Sequence, residues 1–128
     1  MTPGEPARVR LRFRDVDAFG HVYHAEYLTL IDEARTAWFA RLGFEQPEAY
    51  VVARVEVDYL SPLVLADAEV LASFAVERIG TSSLTLAETL HAPDGREVAR
   101  IRSVTVRRDP EGGRSRPLSD GERRALVP

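Results

Sequence analysis

Residues 15–27 read DVDAFGHVYHAEY and gather two aspartates, a glutamate, a glycine, two histidines and two tyrosines in one short stretch. A carboxylate opposite the start of a helix is the minimal machinery for acyl transfer. The first four backbone N–H groups of a helix have no partner within it and carry a positive partial charge, which can hold a developing oxyanion. A carboxylate facing them can attack a carbonyl or activate water. Asp15 and Asp17 supply the carboxylates, and Gly20 allows a tight turn or a close approach of ligand. The same residue types also suit a plain connection, because Asp in a loop commonly caps a turn. His21 and His24, three residues apart in a loop, imply no third ligand and do not make a metal site. No glycine-rich phosphate loop and no serine on a nucleophile elbow occurs in the chain.

Two elements must position this stretch. Upstream, Val9, Leu11 and Phe13 alternate with Arg8, Arg10, Arg12 and Arg14, the period of a half-buried strand ending near Arg14. Downstream, Tyr27, Leu28, Ile31, Ala34, Trp38 and Leu42 recur at steps of three and four. Leu30, Ala37 and Phe39 broaden that stripe, and Gly43 follows as a stop. The spacing predicts a helix over residues 25–42, surrounded by protein on most sides. Four strand-like runs follow. The first covers residues 51–60, with Val51, Ala53, Val55, Val57 and Tyr59 on one side, and ends at Pro62. The others cover residues 69–79, 84–91 and 97–107, with turns at GTSS (80–83) and APDG (92–95). SDGERRAL near the end suits a short helix, and residues 1–7, with two prolines and a glycine, read as a loose end.

The expected architecture is α+β. Short turns pair consecutive strands antiparallel, and a five-stranded sheet must curl around the single long helix that covers it. Open sheet edges make dimerisation by edge pairing a natural solution. At 128 residues the chain suffices for one core, read as one domain with residues 109–128 as a C-terminal extension. A net charge of −3 argues against a general nucleic-acid binder. The absence of cysteine excludes disulfides, thiolate metal sites and cysteine nucleophiles. No signal-like or bilayer-length apolar run occurs, so a cytoplasmic protein with no membrane partner is expected.

The segment DVDAFGHVYHAEYLTLIDEAR resembles the signature of the hotdog-fold acyl-CoA thioesterases, in particular the 4-hydroxybenzoyl-CoA thioesterase-like group. The pattern D-x-D-x-x-G-x-V-x-x-x-x-Y is met by Asp15, Asp17, Gly20, Val22 and Tyr27, followed by Glu33, Ala34 and Arg35 on the helix. DYLSPL and RIGTSSLTL are also similar to the family. The resemblance implies a hotdog fold and hydrolysis of an acyl-CoA thioester, with coenzyme A as part of the substrate and no metal or redox cofactor. It makes Asp17 the nucleophile or general base, the His24 backbone N–H the oxyanion donor, and Gly20 the glycine of the reactive loop. It places His21 and the His24 side chain near substrate or water, and Tyr27, Tyr59 and Pro62 along an acyl slot at a boundary between subunits of a homodimer or homotetramer. Arg78, Thr81, Ser82 and Ser83 flank the turn that meets the nucleotide end of coenzyme A in relatives. Arg107, Arg108, Arg114 and Arg116 form a basic cluster suited to its phosphates. Glu33 is expected to pair with Arg35 or a neighbouring strand. GHV is typical of fatty acyl-CoA members and VYHA of another subgroup, so the motif leaves the acyl group open. The competing functions are a non-catalytic acyl-CoA-binding module and a hydratase or dehydratase on the same fold, whose aspartate–histidine motif is not seen here.

Overall fold

A computed structural model describes residues 4–127. Strand β1 (Ala7–Arg10) leads through a 3-10 turn (Phe13–Asp15) and a short loop into helix α1 (Glu26–Arg41). Strands β2 (Tyr50–Tyr59), β3 (Glu69–Ile79), β4 (Ser83–His91) and β5 (Glu97–Arg107) follow, and a short helix α2 (Asp120–Leu126) closes the described chain. The expected α+β class, the antiparallel five-stranded sheet and the long helix are all present. β3 and β5 have the bounds read from the sequence, and Gly43 takes the left-handed conformation (φ +88°) past the end of α1.

Strand pairing differs from the expected meander. The sheet order is β1-β3-β4-β5-β2, with every pair antiparallel. β2 and β3 are consecutive but do not pair; Leu60–Ala68 carries the chain from one edge of the sheet to the other side, past Pro62 and a 3-10 turn at Leu65–Asp67. β1 is also shorter than its pattern suggested. The Asp15 carboxylate accepts from the Arg12 backbone N–H at 2.8 Å and closes a tight turn, so Phe13 swings out to 83% exposure instead of continuing the inward face. At its other end β1 begins at Ala7, which is buried and therefore not part of a loose end.

Helix α1 lies across the sheet. Tyr27, Leu30, Ile31 and Ala34 pack with Val9, Leu11, Val70, Ala72, Leu90 and Ile101, while Trp38 and Phe39 pack with Phe44, Tyr50, Leu84 and Leu86. Burying each large apolar side chain here contributes about 1.5–3 kcal/mol. The helix is not enclosed on most sides: Leu28, Asp32, Glu33, Thr36 and Ala37 face outward. Leu28 and Ala37 therefore leave the expected stripe, and Arg35 joins the buried face. Its guanidinium donates to both oxygens of Glu88 on β4, at 2.7 and 3.2 Å, and to Asp32 at 2.8 Å. Glu33 is not its partner; that carboxylate points outward, 3.8 Å from the Arg12 guanidinium.

The C-terminal extension docks on the second apolar cluster. Leu118 and Leu126 are buried in the second cluster, and Ser119 and Glu122 form a reciprocal capping box at the start of α2. Glu122 also accepts from the Tyr50 hydroxyl at 2.7 Å and from Arg107 Nε at 3.2 Å. Burial pushes the Glu122 carboxyl up, but the Ser119, Tyr50 and Arg107 donors together outweigh it and hold the group below its ordinary value of 4.5. A depressed carboxyl stabilises the fold above its unfolded pKa, and that contribution is lost as pH falls through the folded value. The melting temperature is therefore expected to fall as pH drops below 4.5, with a shallower decline in Glu122→Gln. Equal pH slopes for the two proteins would contradict this.

Candidate active site

The loop between β1 and α1 contains a small hairpin closed by a Val16–Val22 bridge. The Asp17 N–H donates to the His21 carbonyl at 2.8 Å, and the Gly20 N–H donates to the Asp17 carbonyl at 3.1 Å. Gly20 sits at φ +81°, and nothing lies within 4 Å of where a Cβ would stand. The positive φ favours glycine at this turn, and Gly20 is not among the residues of the cleft wall. Asp15 is fully buried and belongs to the local framework: its carboxylate holds Arg12, and its carbonyl accepts from the Tyr23 N–H at 2.8 Å. Asp17 is only partly covered. Its Oδ1 accepts from the N–H groups of Phe19 (2.9 Å) and His21 (3.2 Å), which fixes the carboxylate from the loop side. No hydrogen bond engages Oδ2 among the described residues.

Asp17, His21, Val22, His24, Tyr27, Tyr59, Leu60, Ser61 and Pro62 line one open cleft of about 370 Å³. The start of α1 forms part of its wall. Ala25, the N-cap residue, has no side chain able to cap, and no side-chain hydrogen bond caps this end. The N–H groups of Tyr23 and Glu26 are used within the protein, whereas those of His24 and Ala25 have no acceptor among the described residues. The aromatic side of the cleft is ordered by ring contacts. Tyr59 meets the buried Tyr27 edge-on, with centroids 5.0 Å apart, and His24 lies between Tyr23 and Tyr59. The Tyr59 hydroxyl donates to the His24 carbonyl at 2.6 Å; burial holds that hydroxyl above its ordinary value, so it stays protonated at neutral pH.

The structure thus brings together Asp17, His21, His24, Tyr27, Tyr59 and Pro62 from three separate segments. Leu60 and Ser61 were not singled out from sequence, although they lie between two residues that were. The other expected binding residues are elsewhere. The register pairs Tyr59 with Ala99 but Tyr50 with Arg107 and Ser83 with Val106, so the Gly80–Ser83 turn occupies the far end of the sheet. Nine strand steps separate the two ends, about 30 Å. Arg78, Thr81, Ser82, Ser83 and Arg108 are therefore remote from Asp17 of the same protomer.

Arg107 was read as a phosphate ligand, but it is buried. It donates to Glu122, to the Arg108 carbonyl at 2.7 Å and to Gln46, with its guanidinium 5.8 Å from the Tyr50 ring centre. Its donors serve the docking of α2. Arg108 is partly exposed and donates to the Gly113 carbonyl. The most buried charged pair, Arg35–Glu88, was not anticipated. Its signal was present in the alternation of Leu84, Leu86, Glu88 and Leu90, which sets a carboxylate on the inward face of β4. Among the described residues no group of three His, Asp or Glu side chains is placed to hold a metal ion.

Comparison with known proteins adds to this geometry. The thioesterase superfamily matches residues 19–99. The acyl-CoA thioesterase YbgC of Haemophilus influenzae is 38% identical over 74 residues, which cover 48% of this chain and 54% of that protein. The acyl-CoA thioester hydrolase YbgC of Escherichia coli O157:H7 is 37% identical over 65 residues, covering 46% and 48%. The chain thus spans about half the length of the curated relatives it matches. Whole-length similarity comes from solved structures. A thioesterase from Thermus thermophilus, complexed with coenzyme A and zinc, superposes with a TM-score of 0.82 at 38% identity over 96% of this chain and 93% of that one. The PA2801 protein of Pseudomonas aeruginosa superposes with a TM-score of 0.85 at 31% identity over 97% and 98%. With the helix-and-sheet arrangement of the hotdog fold and a match over most of its length, the chain belongs to the thioesterase superfamily.

Proposed function

We propose that this protein hydrolyses an acyl-CoA thioester to a free carboxylic acid and coenzyme A. One observation carries the reading: the half-free Asp17 carboxylate and the uncapped start of α1 line the same cleft. The thioester carbonyl would lie between them, its oxygen toward the His24 and Ala25 N–H groups. Asp17 Oδ2 either attacks the carbonyl carbon, forming an acyl-aspartyl anhydride that water then cleaves, or takes a proton from the attacking water. In both courses negative charge collects on the carbonyl oxygen, where the helix start opposes it, and the C–S bond breaks to release the thiolate. No cofactor of the protein's own enters these steps. The rings of Tyr27 and Tyr59 and the edge of Pro62 bound the acyl group, while His21 stands at the mouth of the cleft.

The nucleotide end of the substrate extends beyond this cleft, and the basic and hydroxyl residues expected to meet it are at the other end of the protomer. A second copy resolves this. β2 is an edge strand, with Val51, Val52, Val55 and Tyr59 all more than a third exposed. Antiparallel pairing of two β2 strands sets the Tyr50 end of one sheet beside the Tyr59 end of the other. Arg78, Thr81, Ser82, Ser83 and Arg108 of that second copy are then the phosphate and hydroxyl contacts. The reading is tested by thiol release over a panel of short, long, branched and aromatic acyl-CoAs. At least one substrate is expected to turn over. Tight binding without thiol release across the panel would identify a binding module instead.

A further inference from the structure

Three successive carbonyls at the start of α1 each have a donor, and the middle one is unusual. The Tyr23 carbonyl accepts from the Glu26 N–H at 2.9 Å and the Ala25 carbonyl from the Leu28 N–H at 3.2 Å, both within the turn itself. The His24 carbonyl between them accepts instead from a side chain of another element, the Tyr59 hydroxyl at the end of β2. The Tyr59 ring is not free to drift, because it stands edge-on against Tyr27, which is 3% exposed.

The His24 carbonyl and the Ala25 N–H belong to one planar peptide and point in opposite directions. A donor that fixes the carbonyl therefore fixes the direction of that N–H. Hydrogen bonding at the carbonyl also polarises the peptide and makes its N–H a stronger donor. We propose that Tyr59 is a positioning residue for the reaction, whose hydroxyl orients and polarises the His24–Ala25 peptide at the oxyanion-holding start of α1. The inference rests on the thioester-hydrolysis reading above. It assigns Tyr59 a role distinct from lining the acyl slot: a slot residue acts on substrate binding, whereas this hydroxyl acts on the barrier.

Tyr59→Phe removes the hydroxyl and keeps the ring contact with Tyr27. On the best acyl-CoA, kcat is expected to fall about tenfold, less than for loss of a direct oxyanion donor. KM should change by less than about twofold. The melting temperature should hold, and the Ala25 amide proton resonance should move upfield in the 15N–1H spectrum. Unchanged kcat, or a loss expressed in KM alone, overturns the inference. Asp17→Asn measured alongside separates the two levels of failure. If Asp17→Asn abolishes thiol release while Tyr59→Phe is as fast as wild type, the hydrolase reading survives and the Tyr59 role does not. If the wild-type protein releases no thiol from any substrate, both fall together.

Discussion

Asp17→Asn is expected to lower kcat for thiol release by about a thousandfold, the range of a lost base or nucleophile, with the fold intact. The choice of asparagine follows from the loop. Asp17 Oδ1 accepts from the N–H groups of Phe19 and His21, and a side-chain amide oxygen can accept the same two bonds. Only the second carboxylate oxygen, the one without a hydrogen bond, is replaced by a group that neither attacks nor takes a proton. Asp17→Ala removes both functions at once, so part of its effect would come from a loosened hairpin. If the Asn variant keeps wild-type activity and only Ala loses it, Asp17 serves the turn and the chemistry lies elsewhere. Steady-state thiol release and thermal melting on both variants decide the matter.

Glu88→Leu is expected to destabilise the protein by about 3–5 kcal/mol, because it leaves the Arg35 charge without its main partner in the core. Glu88 is 1% and Arg35 5% exposed, and two hydrogen bonds join them. Burial pushes the Glu88 carboxyl above its ordinary value, and Arg35 pulls it back only in part. Burial in turn lowers the Arg35 guanidinium, but Glu88 and Asp32 outweigh it and hold the group above its ordinary value. The pair is therefore worth keeping whole but not indispensable to the core. Combining Arg35→Met with Glu88→Leu should recover most of the lost stability, since matched apolar replacements of buried ion pairs are often neutral. Denaturant unfolding of the two single variants and the double gives the coupling directly; additive losses would show that the two side chains act independently.

Elements defined by local signals were legible in the sequence. Gly43 ends α1 where it was expected to, and the Ser119–Glu122 capping box starts α2. What failed depended on tertiary partners. Phe13 continues the alternation of β1 perfectly, yet one carboxylate–backbone bond at Arg12 turns the chain away. The apolar alternation of β2 suggested a buried face, but its place at the sheet edge leaves most of it open. Arg107 looked like surface charge because nothing local announces Glu122, fifteen residues on, as its partner. The grouping of the cleft came from the family resemblance more than from pattern, since residues 15–27 and 59–62 carry no signal that they touch.

The strand order also governs the sequence of events as the chain assembles. β3, β4 and β5 form a local meander joined by short turns, and such neighbours find one another quickly. β1 and β2 can take their places only on strands translated after them, β3 and β5 respectively. The Asp17 hairpin and the start of α1 are thus synthesised early but wait for a template made from the second half of the chain. On a ribosome, the Asp17 hairpin leaves before the strands it packs beside and can settle only once they follow.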